Sequence, residues 1–242
     1  MRGLDVIEAL ADGPLLLADL SGRLGLTRST THRLAVSLVE RGYLVSGIRS
    51  GYRLGPKLLE LGFRAQDQFD LVQVAHAHLE RLADQTDDTV HLGTIHGDSV
   101  RYLDKITGRR RINISSRIGD AHLRSSTGLG KALMLDLSPE QWQQAFAAEQ
   151  PDASAAQASA WLARMADYAA RGIAFDLEEN EDRIRCVAAP VRDGKRHIVG
   201  AISVSGAAHY MSDDRMADLV AVVRATAFDI SRDLGCTDSG EE

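Results

Sequence analysis

The chain has 242 residues, of which 44% are hydrophobic and 26% charged, a composition typical of a globular protein with one large or two modest domains. No apolar run reaches the roughly 18 residues of a membrane span, and the N-terminus has no signal-peptide pattern, so we expect a cytoplasmic protein without a membrane partner. The two cysteines, Cys186 and Cys236, are too few for a disulfide framework and lack metal-site spacing. We therefore expect no metal and no cofactor.

Charge is distributed unevenly along the chain. Residues 1–64 carry 9 Lys and Arg against 6 Asp and Glu, a balance of +3. The rest of the chain carries 19 Lys and Arg against 28 Asp and Glu, a balance of −9. The net charge of −6 therefore hides a basic head on an acidic body. This asymmetry indicates a polyanionic partner that meets the head alone.

The sequence pattern of the head predicts three short helices joined by short connections. The first amphipathic pattern places Leu4, Ile7 and Leu10 on one helical face. A second short helix ends at Gly25, and Thr27 is the predicted N-cap of a third. Two helices joined this tightly, of which the second is amphipathic and cationic at its start, have the form of a helix-turn-helix.

The third helix and the hairpin after it carry the candidate DNA contacts. Its apolar stripe is Leu34, Ala35, Leu38 and Val39, and two short strands, 43–46 and 52–54, read as a wing. The N-terminal residues of a recognition helix lie nearest the base edges, where an arginine can make a bidentate contact to guanine. The candidate DNA-binding residues are Arg28, Ser29, Thr30, His32 and Arg33 on the helix, and Arg49 and Arg53 in the wing.

A long helical periodicity connects the head to the rest of the chain. It begins near Pro56 and continues through Leu82, and its apolar face from Leu58 to Leu82 offers a surface on which two heads could pair. We interpret residues 57–70 as a linker helix. The first helix of a second domain is a compatible interpretation of the same stretch.

The pattern after Thr89 changes to period two, which predicts strands. Two strands flank the turn His96-Gly97-Asp98, and residues 111–119 read as a third. Three helices follow, then strands within 173–207, and a long helix capped by Ser212. The strands outnumber the crossovers of a doubly wound fold, so we expect an α+β domain in which helices pack around an antiparallel sheet.

Several separated motifs, in order, resemble the IclR family of bacterial transcriptional regulators from about residue 3 to about 234. The motifs are "RSTTHRL…LVERGYL", "YRLGPKLLELG", "STGLGKAL", "RGIAFDLEEN…RCVAAPV" and "AISVSG". The resemblance implies a winged helix-turn-helix in residues 1–56, the linker helix, and a GAF-like effector-binding domain in residues 71–242. It also implies operator DNA as partner, and homodimers that often pair into tetramers.

The sequence departs from the family pattern at a few places. Thr31 occupies a position that is commonly aliphatic, and Arg183 stands where the family often has glycine. The approach "HLRSST" to the GKAL helix is more polar than usual. These differences bear on the identity of the ligand and leave the family resemblance intact.

The segment "STGLGKAL" is the clearest candidate site of the second domain. Gly128 and Gly130, on either side of Leu129, allow close backbone approach, and the helix that follows presents unpaired N–H groups to a carboxylate or phosphate. A Gly-x-Gly pattern alone is more typical of a tight turn. The resemblance favours the ligand loop, because effector pockets of the family are built around it.

The resemblance also assigns effector contacts to Asp176, Cys186, Ser203 and Ser205, and the two serines share one face of a strand. Weaker candidates for the opposite wall are Ile114, His122 and Leu123, with Ala201 as a further apolar wall. Since no cluster of arginines is evident for a phosphate, we expect a small carboxylic acid, such as a hydroxy or keto acid of sugar or aromatic catabolism.

The resulting hypothesis is a ligand-responsive, sequence-specific DNA-binding regulator, a repressor of a catabolic operon and not an enzyme. The alternative is a GAF-type small-molecule-binding or catalytic protein whose head mediates only protein contacts. His91, His96, His122 and Cys186 lack the spacing of a catalytic or metal site. The arginines of "GRRRINISSR" indicate either a second anion-binding surface or an exposed loop.

Overall fold

The computed structural model describes residues 2–47, 51–66, 70–110 and 114–237. The chain divides into two compact units, residues 1–69 and 70–242. No helix within the described ranges is long and apolar enough to cross a membrane.

The first unit is a helix-turn-helix followed by a two-stranded antiparallel hairpin. Gly25 ends the second helix in the left-handed conformation, and the Thr27 side chain accepts a hydrogen bond from the Thr30 N–H, which confirms both predicted boundaries. The elements are α1 (Arg2–Glu8), α2 (Leu17–Leu24), α3 (Arg28–Glu40), β1 (Leu44–Gly47), β2 (Gly51–Leu54) and α4 (Pro56–Gln66).

The core of the first unit joins all three helices to the hairpin. Its buried residues are Val6, Ala9, Leu10, Leu20, Ala35 and Leu44. Leu34, Leu38 and Val39 pack against this core, as the predicted stripe of α3 requires. The predicted face of α1 is wrong at Leu4, which is 62% exposed. Because α1 ends at Glu8 and the chain then turns, Val6 and the turn residue Leu10 take the inward positions instead.

The second unit is one six-stranded antiparallel sheet with helices on both faces, as predicted for the fold class. The strand order is β5-β4-β3-β8-β7-β6. The elements are α5 (Leu71–Thr86), β3 (Thr89–His96), β4 (Ser99–Ile106), β5 (Ala121–His122), α6 (Gly128–Leu133), α7 (Pro139–Glu149), α8 (Ala155–Arg171), β6 (Ala174–Leu177), β7 (Ile184–Arg192), β8 (Ile198–Ala207) and α9 (Asp213–Asp233).

The two faces of the sheet bury different sets of helices. Alternation along β8 places Ile202 and Val204 against α5 and α9, and Ala201 against α6, α7 and α8. Ser203 and Ser205 lie on the same face as Ala201, where the helices leave space over the ends of the strands. This arrangement makes one face of the sheet the floor of a polar cavity.

The strand predicted at residues 111–119 is wrong for the described part of that segment. Residues 114–119 have no strand, and a two-residue strand at Ala121–His122 pairs with β4 instead. The Lys105 Nζ donates to the carbonyl oxygens of Ile114 and Ser116, both at 2.7 Å. The Gly119 N–H also donates to the Tyr102 carbonyl at 2.8 Å, so the Lys105 side chain and one backbone bond to β4 hold this segment in place of a strand ladder.

The periodicity between Pro56 and Leu82 belongs to two helices. α5 starts at the N-cap Asp70, whose side chain accepts a hydrogen bond from the Val72 N–H at 2.9 Å. Leu79 and Leu82 are fully buried in the core of the second unit, so the prediction that they pair two heads is wrong. Leu59 and Leu61 on α4 remain exposed.

The departure at Arg183 has a backbone signature. Arg183 lies between β6 and β7 with φ +64°, in the left-handed region that costs roughly 1–2 kcal/mol for a residue with a Cβ. We expect Arg183→Gly to unfold at a higher denaturant concentration than Arg183→Ala, with a stability difference of about 1 kcal/mol. Both variants lose the arginine side chain, so chemical denaturation isolates the backbone effect. Equal midpoints would contradict it.

Candidate DNA interface and ligand cavity

The start of α3 presents polar and cationic side chains to solvent. Arg28, His32 and Arg33 are exposed, and none of the three forms an ion pair or hydrogen bond with another residue in the described ranges. The Thr27 hydroxyl donates to the Thr30 hydroxyl at 2.9 Å and lies 3.3 Å from that of Ser29. The two cations at the helix start are therefore uncompensated, whereas the hydroxyls of Ser29 and Thr30 belong to the cap.

Thr31, on the opposite side of α3, is a polar residue in the core whose hydroxyl is hydrogen-bonded. It is fully buried, and its hydroxyl donates to the Thr27 carbonyl at 3.1 Å. Its methyl group fills the place of the usual aliphatic side chain, and its polar atom has a partner.

The hairpin is fixed to the helices by its second strand. Tyr52 and Leu15 exchange two backbone hydrogen bonds, at 2.8 and 3.0 Å, and a Cβ on Gly51 would lie 2.1 Å from the Leu15 carbonyl oxygen. Glycine is required there by this close approach. Arg53 is exposed on β2, and Arg49 lies outside the described residues.

A polar cavity of about 80 Å³ lies on the α6 side of the sheet. The register places Asp176 opposite Cys186, and Cys186 opposite Ser205, in one row across three strands. Ser203 is paired with His91 in the next row. The lining residues are His91, Tyr102, Ile114, Ser115, Ser116, Asp120, His122, Thr127, Gly128, Leu129, Asp176, Asn180, Glu181, Ile184, Cys186, Ser203 and Ser205.

A chain of hydrogen-bonding groups crosses the cavity floor. The hydroxyls of Ser203 and Ser205 lie 3.5 Å apart, Ser205 Oγ is 3.4 Å from His91 Nδ1, and His91 Nε2 is 2.8 Å from Ser116 Oγ. Burial, together with the charge of Lys105, lowers the pKa of His91 to about 3. The imidazole is therefore neutral, with one ring nitrogen a donor and the other an acceptor.

A second histidine offers an unused polar atom. The His122 ring stacks on Tyr102 at 4.6 Å between centroids, and its Nε2 is buried with no hydrogen-bond partner in the described residues. A buried polar nitrogen without a partner is uncommon. His122 Nε2 is thus available to a ligand in the cavity.

Asp176 is the most perturbed carboxylate of the cavity. Burial raises its pKa to about 6, against the opposing charge of Lys131 and the Glu179 N–H, which donates to Oδ1 at 2.8 Å. Lys131 is itself fully buried and forms an ion pair with Glu179. Because its pKa is close to neutral, the carboxyl of Asp176 can act as acceptor or as protonated donor.

The glycines of the "STGLGKAL" segment meet protein atoms. A Cβ on Gly128 would lie 2.4 Å from Cys186 Sγ, and one on Gly130 would lie 2.3 Å from the Arg124 carbonyl oxygen. Gly128 and Leu129 line the cavity, but Gly130 does not, so its predicted role in close ligand approach is wrong. The N–H groups of Gly128 and Gly130 already donate to Cys186 and to Thr127 Oγ1.

Two other predicted wall residues are also wrong. Leu123 is 43% exposed and lies outside the cavity lining, and Ala201 is fully buried in the core beneath α6. Ile114 and His122 do line the cavity. The two corrections have different reasons: Ala201 has the right strand parity but is covered by α6, whereas Leu123 lies beyond the end of β5.

Sequence reasoning did not identify several lining residues. Thr127 is the N-cap of α6, and Tyr102 lies on β4, where the alternation of the strand could have identified it. The connecting segments supply Ser115, Ser116, Asp120, Asn180 and Glu181, which no periodicity marks. Among the described lining residues three are carboxylates and none is Lys or Arg.

The arginines near residue 110 do not form an anion site within the described residues. Arg109 is bonded to Asp87 at 2.8 Å, and Arg110 lies 2.7 Å from Asp88 and over the ring of Tyr210. Each is compensated by an acidic neighbour, which favours the exposed-loop alternative. Arg111 lies outside the described residues.

A helix-turn-helix with uncompensated cations, joined to a sheet domain with a polar cavity, defines the class: a DNA-binding transcriptional regulator. The family model "Bacterial transcriptional regulator IclR C-terminal" matches residues 63–232, and the "IclR helix-turn-helix domain" matches residues 1–46. The chain belongs to the IclR family, which confirms the resemblance.

Individual relatives extend over nearly the whole chain. The HTH-type transcriptional regulator XynR of Escherichia coli is 32% identical over 91% of this chain and 90% of its own. The glycerol operon regulatory protein of Streptomyces coelicolor is 31% identical over 97% of this chain and 95% of its own. The crystal structure of the Agobacterium tumefaciens repressor BlcR superposes with a TM-score of 0.82 at 25% identity, covering 98% of this chain and 97% of that one.

The raised pKa of Asp176 predicts a specific pH dependence of stability. Its folded pKa of about 6 lies above the model-peptide value, so ionisation favours the unfolded chain as the pH rises from about 4 to 6. We expect Asp176→Asn to gain about 2–3 kcal/mol of stability relative to wild type over that interval, and nothing further above pH 7.

Denaturant unfolding at several pH values measures this difference. The opposite dependence from the lowered pKa of His91 is present in both proteins and cancels. Asp182→Asn, in the same loop, controls for the loss of one negative charge. Parallel stability curves for wild type and Asp176→Asn would show that the carboxyl is not perturbed.

Proposed function

We propose that the protein is a ligand-responsive repressor of a catabolic operon, which binds operator DNA through α3 and the wing and responds to a small carboxylic acid. The observation that carries the proposal is the group of uncompensated cations at the start of α3, in a head (residues 1–64) with a charge balance of +3. The names of the relatives support the regulatory target, since one regulates a glycerol operon and another is called a repressor.

The proposed DNA contacts follow from exposure and reach. Arg28 precedes the others on the first turn and is long enough for a bidentate contact to a guanine edge. Arg33 and His32 lie a turn further on and suit phosphates or flanking bases. Ser29, Thr30 and the wing residues Arg49 and Arg53 complete the proposed set, in which the wing arginines contact phosphate or the minor groove.

We further propose that the protein acts as a homodimer, paired into tetramers on DNA. Two recognition helices fit half-sites roughly 34–36 Å apart or multiples of that distance. Leu79 and Leu82 are buried in the core and are not available for dimer contacts. The apolar surface that supports the pairing of two chains is therefore the exposed Leu59 and Leu61 on α4.

Arg28→Ala tests the assignment of the reader residue. We expect it to weaken specific binding by about 1–3 kcal/mol and to relax the preference at one or two base pairs, because one bidentate base contact is lost. The measurement is a gel shift on the DNA upstream of the gene, with point changes in the operator. Arg41→Ala, at the other end of α3, is the matched control and is expected to bind like wild type.

The same experiment distinguishes the outcomes. Unchanged affinity and preference in Arg28→Ala would exclude Arg28 as a reader. If even the wild type gives no salt-sensitive, sequence-dependent shift, the alternative of a protein-binding head is favoured. Sedimentation of both variants shows whether either substitution changes the oligomeric state.

The chemistry of the cavity supports a small hydroxylated acid as effector. The hydrogen-bonding groups within reach are the hydroxyls of Ser203 and Ser205, the Nε2 of His122 and the protonated form of Asp176. Such groups can hold a single carboxylate and a neighbouring hydroxyl or keto group without a lysine or arginine. The volume of about 80 Å³ suits a molecule of a few non-hydrogen atoms.

The proposed effector-binding residues combine these donors with the cavity walls. Ile114 and Leu129 supply apolar wall, and Gly128 and Cys186 set its shape by their mutual contact. Gly130 supports the segment from behind, through its fit against Arg124. The full proposed set of contacts is Ile114, Gly128, Leu129, Asp176, Cys186, Ser203 and Ser205, and Gly130 is not one of them.

The double variant Ser203→Ala, Ser205→Ala tests the cavity as effector site. A thermal-shift screen of hydroxy and keto acids first identifies an acid that stabilises the wild type. We expect the double variant to bind that acid at least tenfold more weakly by calorimetry, since about 0.5–1.5 kcal/mol is lost per hydrogen bond, and to lose the ligand response in gel shifts.

Two comparisons make the result specific. Ligand-free DNA binding of the double variant is expected to stay near wild type, because the two units are separate in sequence and ligand acts only by favouring one arrangement of heads. Ser99→Ala, at the start of β4 and outside the cavity, is the matched control. Unchanged ligand affinity in the double variant would place the effector elsewhere.

A further inference from the structure

A second concave site lies on the outer side of α7 and α8. It is a groove of about 310 Å³ between the two helices and the segment at Ser125 and Ser126, and no residue lines both this groove and the polar cavity. Its volume lies at the lower end of the range for small-molecule pockets. The proposed effector role of the cavity makes no use of it.

The floor of the groove is aromatic and rigid. The rings of Phe146 and Trp161 lie 4.9 Å apart between centroids in a tilted arrangement. The Trp161 Nε1 donates to the Ser125 carbonyl at 2.9 Å, which fixes the indole. Ala153 and Ala160 form the sides, and their small side chains leave the room above the rings. A flat apolar ring is the shape that this floor accepts.

The charged wall of the groove consists of Arg164 and Glu179. Glu179 is bonded to the Arg164 Nη2 at 2.6 Å and also to the buried Lys131. One carboxylate thus serves two cations. The Arg164 side chain is 44% exposed, so the donors of its guanidinium that Glu179 does not use can reach a ligand in the groove.

One buried hydroxyl supports the same assignment. Ser125 is 3% exposed and lines the groove, and its hydroxyl has no hydrogen-bond partner in the described residues. Buried side-chain polar atoms are nearly always paired. A ligand oxygen would supply the missing partner.

We propose that this groove is a second ligand site, which binds an aromatic monocarboxylate of one ring. The ring lies over Phe146 and Trp161, the carboxylate pairs with Arg164, and the Ser125 hydroxyl donates to the ligand. A phosphate ester fits less well, because Arg164 is the one cation among the described residues that line the groove. The site is distinct from the effector cavity and binds independently of DNA.

The test is calorimetry of the full-length protein with sodium benzoate, and with benzamide as the uncharged probe. Ala160→Phe fills the groove from an exposed position on α8, and Ala163→Phe, also exposed on α8 but outside the groove, is the matched control. We expect Ala160→Phe to weaken benzoate binding at least tenfold and Ala163→Phe to leave it unchanged.

Arg164→Gln tests the charged wall. We expect at least a tenfold loss of benzoate affinity and no comparable loss for benzamide. Melting temperatures of all variants show that each is folded. The proposal is overturned if wild type does not bind benzoate at 10 mM (about the tenfold margin over a weak 1 mM site), or if Ala160→Phe binds as wild type does.

A third outcome also overturns it and identifies the true site. If benzoate affinity is lost in Ser203→Ala, Ser205→Ala but kept in Ala160→Phe, benzoate binds in the effector cavity. No DNA and no effector enter the measurement, so failure of this proposal leaves the proposed function untouched.

Discussion

The buried ammonium of Lys131 is the constraint on which the second unit depends. Removing a charge from water costs several kcal/mol, and an uncompensated one is strongly destabilising, so Lys131 requires Glu179. Glu179 follows β6, and its ion pair therefore fixes the connection after that strand against α6. The Glu179 N–H in turn holds Asp176, and its second oxygen holds Arg164. One ion pair thus sets a wall of the cavity and a wall of the groove.

The sheet register then decides which side chains share the cavity. Period-two patterning predicted most of the strands, and the turn at Gly97 predicted that β3 and β4 are neighbours. No local signal predicts that β3 pairs with β8, which brings His91 opposite Ser203. Elements and caps such as Thr27 follow from nearby residues, whereas pairing depends on the total burial of both faces. For this reason the segment at residues 114–119 could not be predicted: its position depends on the Lys105 side chain and on a backbone bond to Tyr102, which no local pattern indicates.

The glycines and the lysine of the "STGLGKAL" segment show which features of a site cannot be predicted from sequence. Gly128 and Gly130 do mark close approach, as the pattern indicated, but the approaching atoms are Cys186 Sγ and the Arg124 backbone. A glycine pattern indicates a close approach of the backbone, but it does not identify the atoms that approach. Lysine is almost never fully buried without a partner, so the position of Lys131 in the core follows only from a carboxylate far along the chain. Family resemblance located the cavity, and packing determined its members.

The electrostatics of the cavity restrict how an acid can bind there. The described lining residues contribute three carboxylates and no lysine or arginine, and the imidazole of His91 is neutral. A ligand carboxylate beside Asp176 disfavours ionisation of both, so the pair is most stable with one proton between them. Because the pKa of Asp176 is already raised to about 6, that proton is obtained near neutral pH at small cost. A second negative charge on the ligand would meet these carboxylates without a lysine or arginine to balance it, so the proposed effector is a monocarboxylate with neutral hydrogen-bonding groups.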